Sequence, residues 1–218
     1  MEDSNTENQV PSVIAALRRF NRPRPAVEQC DLCSLGLAVE HQHLFEPKAR
    51  RLLCACDACA ILFSGQAEMR YKRVPRRIRF LTDFNLTDAQ WDDLLIPIGM
   101  AFFFYSTPAK KTLALYPSPA GSVESLLELE AWEEIVAANP ILGALEADVE
   151  ALLVNRIGAP REYYLAPIDE CFRLVGLIRA NWTGLSGGTE VWKEIAQFFT
   201  GLKARATIVV SESSDFGF

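Results

Sequence analysis

Both histidines and five of the six cysteines lie between Cys30 and Cys59, in the stretch CDLCSLGLAVEHQHLFEPKARRLLCACDAC. Cysteines placed only to fill a core would not gather in this way, so the stretch reads as a metal site. Cys30 with Cys33, and Cys56 with Cys59, form two C-x-x-C pairs. Each such turn lets two thiolates converge on one ion at roughly 2.3 Å, and two turns complete a tetrahedral shell. Zinc is the expected ion, because it accepts sulfur ligands and imposes no d-electron geometry. Iron is the alternative. An iron knuckle usually has a glycine soon after its second cysteine, whereas Ser34 and Ala60 stand there.

Three further groups compete for the shell. Cys54 precedes Cys56 by two, and His41 and His43 are two apart, so that on a strand both imidazoles face one side. Seven groups cannot fill four positions. Either His41, His43 and Cys54 stand beside a four-thiolate site, serving a second metal, a substrate or a partner, or one of them replaces a thiolate. Histidines on an ordinary surface strand remain an equal alternative. The run Ala58-Cys59-Ala60-Ile61-Leu62-Phe63 looks like a short helix opened by the second pair. A knuckle, an extended stretch and a ligand pair opening a helix is the order of a treble clef or zinc ribbon. Two closed C-x-x-C pairs point to a structural or electron-carrying site before a catalytic one.

These residues need a scaffold, and 218 residues, half of them hydrophobic, can bury a good core plus a small module. The acidic, polar N-terminus is the reverse of a signal peptide. The apolar run from Leu94 to Tyr105 is broken by Pro97 and Gly99 and is shorter than a membrane span. A cytoplasmic protein is expected, where clustered cysteines are metal ligands more often than disulfides. The net charge of −6 is divided unevenly: residues 1–80 carry 13 Lys plus Arg against 9 Asp plus Glu, and the remainder carries 9 against 19. Arg70, Lys72, Arg73, Arg76, Arg77 and Arg79 form the larger basic arm. It would suit an acidic partner surface, or equally the acidic second half of the same chain. Nucleic-acid binding is disfavoured by the overall acidity.

The expected organisation is an N-terminus without order (1–10), a helix and Cys/His module with a basic flank (11–80), an α+β domain (81–208) and a flexible tail (209–218). Val13, Ile14, Leu17 and Phe20 recur at helical spacing. Strands are expected from Arg77 to Leu81, Ile98 to Tyr105, Thr112 to Tyr116, Val149 to Ile157 and Tyr163 to Ala166. Helices are expected from Ser122 to about Ala138, Ile168 to Trp182 and Glu190 to Leu202, the last capped by Thr189. Irregular mixing of these elements predicts an α+β fold with helices packed on a mainly antiparallel sheet. Cys171 falls on an apolar helical face and reads as core. Glu146, Asp148 and Glu150 could line one face, and a solvated strand edge explains them equally well.

The combined order CDLC (30–33), HQHLF (41–45), CACDAC (54–59), LIPIGMAFF (95–103), YPSPAGSVES (116–125), DVEALLVNR (148–156) and WTGLSGGTEVW (182–192) resembles an uncharacterised bacterial family. Its members are about this long and are often encoded beside nickel-iron hydrogenase genes. The resemblance implies an accessory role in hydrogenase assembly or function rather than a mechanism. The leading expectation is therefore a non-catalytic zinc-binding accessory protein that binds a hydrogenase subunit or maturation factor. A rubredoxin-like iron electron carrier is the alternative, and a zinc-dependent nucleic-acid binder the next.

Overall fold

The nearly unbroken apolar runs around positions 100–106 and 150–155 have two faces to bury, and a layer covers each. The computed structural model describes residues 28–64, 70–125, 130–184 and 186–209. In chain order its elements are β1 (Gln42–Glu46), β2 (Arg51–Ala55), α1 (Asp57–Leu62), β3 (Lys72–Arg73), β4 (Arg79–Leu81), α2 (Asp88–Asp93), β5 (Met100–Ser106), β6 (Lys111–Ser118), β7 (Gly121–Glu124), α3 (Glu130–Ala138), a 3-10 turn (Pro140–Ala144), β8 (Glu150–Asn155), β9 (Glu162–Pro167), α4 (Ile168–Asn181), α5 (Gly188–Arg205) and β10 (Thr207–Val209). The helix expected near residues 11–20, and the two expected disordered ends apart from Val209, lie outside the described residues.

Seven strands form one sheet in the order β10-β4-β9-β8-β5-β6-β7, antiparallel throughout except for the parallel pair β10 and β4. Successive strand residues point to opposite faces. Met100, Phe102 and Phe104 join Ala151, Leu153, Tyr164 and Ala166 on one face. That face is covered by α4 through Cys171, Leu174 and Ile178, and by α5 through Val191, Ile195, Phe198 and Leu202. Cys171 is a fully buried core residue, as its apolar setting in the sequence implied. Ala101, Phe103, Leu152, Val154 and Leu165 point the other way, where Trp91, Leu94, Trp132, Ile135 and Leu142 form the second layer. Phe103 and Trp132 stack with ring centroids 4.8 Å apart. The chain is thus α+β with a mainly antiparallel sheet.

The helix α2 opens on a capping box. Thr87 accepts from the Gln90 backbone N–H through its side chain, and Gln90 returns a bond to the Thr87 backbone. Thr87→Ala is therefore expected to cost about 1 kcal/mol, read as a drop in the urea midpoint with an unchanged slope.

Two sequence expectations change. Residues 121–124 are not the start of a helix: β6 runs through Pro117 to Ser118, and Gly121 (φ +125°) turns the chain into β7, with Ser122 opposite Pro117. The helix itself begins only at Glu130. Thr189 does not cap α5, because Gly187 does so in a left-handed conformation (φ +87°). A Cβ at Gly187 would lie 2.8 Å from Val191 Cγ1, so the position demands glycine twice over. The strand β4 belongs to the large sheet. Module and domain are also sealed together: Phe45 of β1 is buried in the main core and stacks on Phe172 of α4.

Candidate metal centre

The antiparallel hairpin of β1 and β2, with β3 on the outer side of β1, is the platform of the module. The first knuckle, Cys30 to Ser34, closes through the Ser34 N–H donating to Cys30 O at 2.8 Å, with Ser34 at φ +61°. It is laid against β2 by two bonds from Asp31. Its N–H donates to Cys54 O at 2.9 Å, and its carboxylate accepts from Cys54 N–H at 2.7 Å. The second knuckle starts α1, where Cys56 is the N-cap and its Sγ accepts from Cys59 N–H at 3.5 Å. A knuckle, a hairpin and a second knuckle opening a helix follow one another in the order expected of a treble clef.

This arrangement brings Cys30, Cys33, Cys56 and Cys59 into one group whose sulfurs are 3.6–3.9 Å apart. A tetrahedron of metal–sulfur bonds of about 2.3 Å has edges of about 3.8 Å. Four free thiols would gain little by gathering at that spacing, whereas a tetrahedral ion fills it. Cys30, Cys56 and Cys59 are buried and Cys33 is exposed. Burial pushes the Cys30 thiol up, but backbone N–H groups of Cys56, Leu32 and Cys33 outweigh it and bring the thiol down to about 6. Burial, and then the neighbouring thiols, push Cys59 up to about 12. The knuckle amides thus favour negative charge on sulfur, and the four sulfurs cannot all carry it without a cation between them.

A second group gathers beside the first. One ring nitrogen each of His41 and His43 lies with the Cys54 sulfur in a cluster within 4.8 Å. The two rings meet edge to face at 4.8 Å, on the one side that their spacing predicts. Burial, with the nearby Glu28 and Asp31 carboxylates, raises the Cys54 thiol.

The basic arm turns inward. Arg70 pairs with Glu46 at 2.6 Å and Lys72 with Asp148 at 2.7 Å. Arg73 donates twice to Gln42 Oε1, while Arg77 and Arg79 converge on Glu150. Among the described residues Arg76 alone of the six makes no ion pair or side-chain hydrogen bond. Asp148 and Glu150 are fully buried, correcting the expectation of a solvated strand edge. The opposed charge of the two halves was the signal for this pairing, and Asp31 and Asp169 carried no comparable mark.

A cavity of about 750 Å³ lies elsewhere, between Ile157, Pro160 and the α5 residues Trp192, Ile195 and Phe199, and among the described residues no cysteine or histidine lines it. A groove of about 520 Å³ runs between module and domain past His41, His43, Asp169, Arg76, Arg173 and Arg205. No helix of the described residues is long and apolar enough to cross a membrane.

Residues 29–206 match the profile of a family described as Family of unknown function (DUF5947), and the chain belongs to that family. No curated protein and no solved structure matches the chain.

Proposed function

We propose that this member of the DUF5947 family is a non-catalytic zinc-binding accessory protein that works by binding another protein. The observation that carries the reading is the four-thiolate spacing of Cys30, Cys33, Cys56 and Cys59, which closes a tetrahedral shell and leaves no position for a substrate. An ion held there would fix two knuckles and the start of α1, supplying cross-links to a module whose own core is small. The sequence resemblance supports nickel-iron hydrogenase assembly or function in the cytoplasm as the setting.

Ile61, Leu62 and Phe63 support a protein partner. They are consecutive and exposed at the end of α1, directly after the metal-binding Cys59 and Ala60. Solvated helices seldom end on three large apolar side chains, and a patch held by a metal module is suited to a partner groove. The basic arm contributes less than its sequence promised, because four of its six cations are paired with carboxylates of the same chain. Nucleic-acid binding loses its main support for the same reason.

A rubredoxin-like iron centre is the second reading, favoured by the exposure of Cys33, which would give electrons a sulfur at the surface. Metal analysis, zinc-edge X-ray absorption and a visible spectrum of anaerobically purified protein separate the two. Zinc in an all-sulfur shell with no colour is expected. Iron with thiolate charge-transfer bands would replace the zinc reading. Affinity capture under native expression should recover a hydrogenase subunit or maturation factor, and this recovery should fail for Leu62→Asp. Capture that never includes such a protein would overturn the hydrogenase setting.

A further inference from the structure

Nothing in the four-thiolate centre uses His41, His43 or Cys54, yet their surroundings are built as carefully as those of a ligand set. His43 Nδ1 lies 2.7 Å from Asp169 Oδ2 and His41 Nδ1 lies 2.9 Å from Ala38 O. A carboxylate and a carbonyl oxygen accept, so each Nδ1 carries the proton and donates it. In a neutral imidazole that leaves the lone pair on Nε2. Both histidines are therefore set in the tautomer that a metal-binding imidazole uses, each oriented by an oxygen on the far side of its ring.

His41 adds an independent mark. Its side chain is 7% exposed, and its Nε2 is buried with no hydrogen-bond partner among the described residues. Leaving a buried nitrogen lone pair unsatisfied costs about 1–3 kcal/mol. A coordinated ion would satisfy it. Cys54 supplies the third group, because the hairpin register puts it directly opposite His43. Its backbone is clamped on both sides by Asp31, which fixes the strand from which the sulfur projects.

We propose that His41 Nε2, His43 Nε2 and Cys54 Sγ form a second metal site, distinct from the four-thiolate centre, for a divalent ion of the zinc class. Two imidazoles and one thiolate suit such an ion, and three protein ligands leave one coordination position open. His41 and His43 also line the groove between module and domain. The groove gives the ion a route in and leaves room for a fourth ligand from solution. Asp169 belongs to α4 of the domain, so this site would join the two parts of the chain, which the four-thiolate centre does not.

The test is zinc loading of the full chain under anaerobic conditions, with metal stoichiometry and zinc-edge X-ray absorption as readouts. Two equivalents with a mixed sulfur and imidazole shell are expected for the unaltered protein. His41→Asn with His43→Asn, and Cys54→Ala, should each retain one equivalent in an all-sulfur shell. Asp169→Asn should weaken the second equivalent about 10- to 100-fold and leave the first unchanged. One equivalent in an all-sulfur shell for the unaltered protein overturns the site, whatever the variants do. So does a second equivalent that survives the histidine replacements. A single equivalent in a mixed shell overturns it as well, because a histidine would then have replaced a thiolate in one shared shell, and it would sink the four-thiolate reading too.

Discussion

Cys59→Ser is expected to abolish the all-sulfur metal centre and unfold residues 30–62 locally, while the seven-stranded sheet stays folded. Among the described residues the module's own apolar cluster has seven buried members: Cys30, Leu44, Leu53, Ala55, Cys56, Cys59 and Ala60. Three of them are candidate ligands and two are alanines, so Leu44 and Leu53 are the large apolar side chains among the seven, with Leu32, Leu37 and Tyr71 packed partly buried against them. A core of this size cannot offset the ordering entropy of some thirty residues. Structural zinc binds small modules with an apparent free energy of about 10–16 kcal/mol, and that binding energy is folding energy. Losing a ligand removes a large part of it. The domain has cores on both faces of its sheet, to one of which the module lends Phe45, and is expected to stay folded without the ion. Hydrogen exchange should show lost protection across β2 and α1, with weaker effects in β1, which Phe45 pins to the main core. Chelation of the unaltered protein should give the same pattern. Unchanged exchange in both cases would mean that the hairpin stands without metal.

The strongest sequence signals were those in which residue type and spacing act locally. Two C-x-x-C pairs had to bend into knuckles, and the H-x-H pair had to share a side once the segment was extended. Both depend on a few neighbouring dihedrals. Apolar runs such as MAFFFY likewise declared strands buried on two faces. What was lost is non-local. Ser122 looked like a helix cap because serine before an acidic, leucine-rich segment usually is one. The sheet edge captured it first, since β6 offered Leu115 and Tyr116 as partners for Glu124 and Val123. Nothing in the sequence marks Asp169 as the partner of His43, because 126 residues separate them and only the docking of α4 against the module brings them together. The setting of Glu150 is hidden for a related reason. A carboxylate among apolar strand residues looks like an outward-facing position until the arginines 71 and 73 residues earlier are folded over it.

Those arginines make Glu150→Gln the second largest expected effect, a loss of about 3 kcal/mol at neutral pH. Glu150 is fully buried and accepts from Arg77 Nε at 2.7 Å and Nη2 at 2.9 Å, from Arg79, and from the Glu146 backbone N–H at 3.0 Å. An amide is nearly isosteric, but it withdraws the charge and turns an N–H donor toward the guanidinium donors. The pH dependence distinguishes a lost ion pair from lost packing. Burial pushes the Glu150 carboxyl up, but the Arg77 hydrogen bonds, the Glu146 amide and the charges of both arginines outweigh it and hold the group below the usual carboxylate range. A carboxylate depressed on folding contributes its full stability above its unfolded value of about 4.3 and loses it as pH falls through the folded value. The unaltered protein should therefore lose this increment in acid, while the glutamine variant, having nothing to protonate there, should lose less. Urea midpoints should differ most at pH 7 and converge below about pH 4. A difference that stays constant with pH would assign the cost to packing, and the inward pairing of the basic arm would then contribute little to holding the module on its domain.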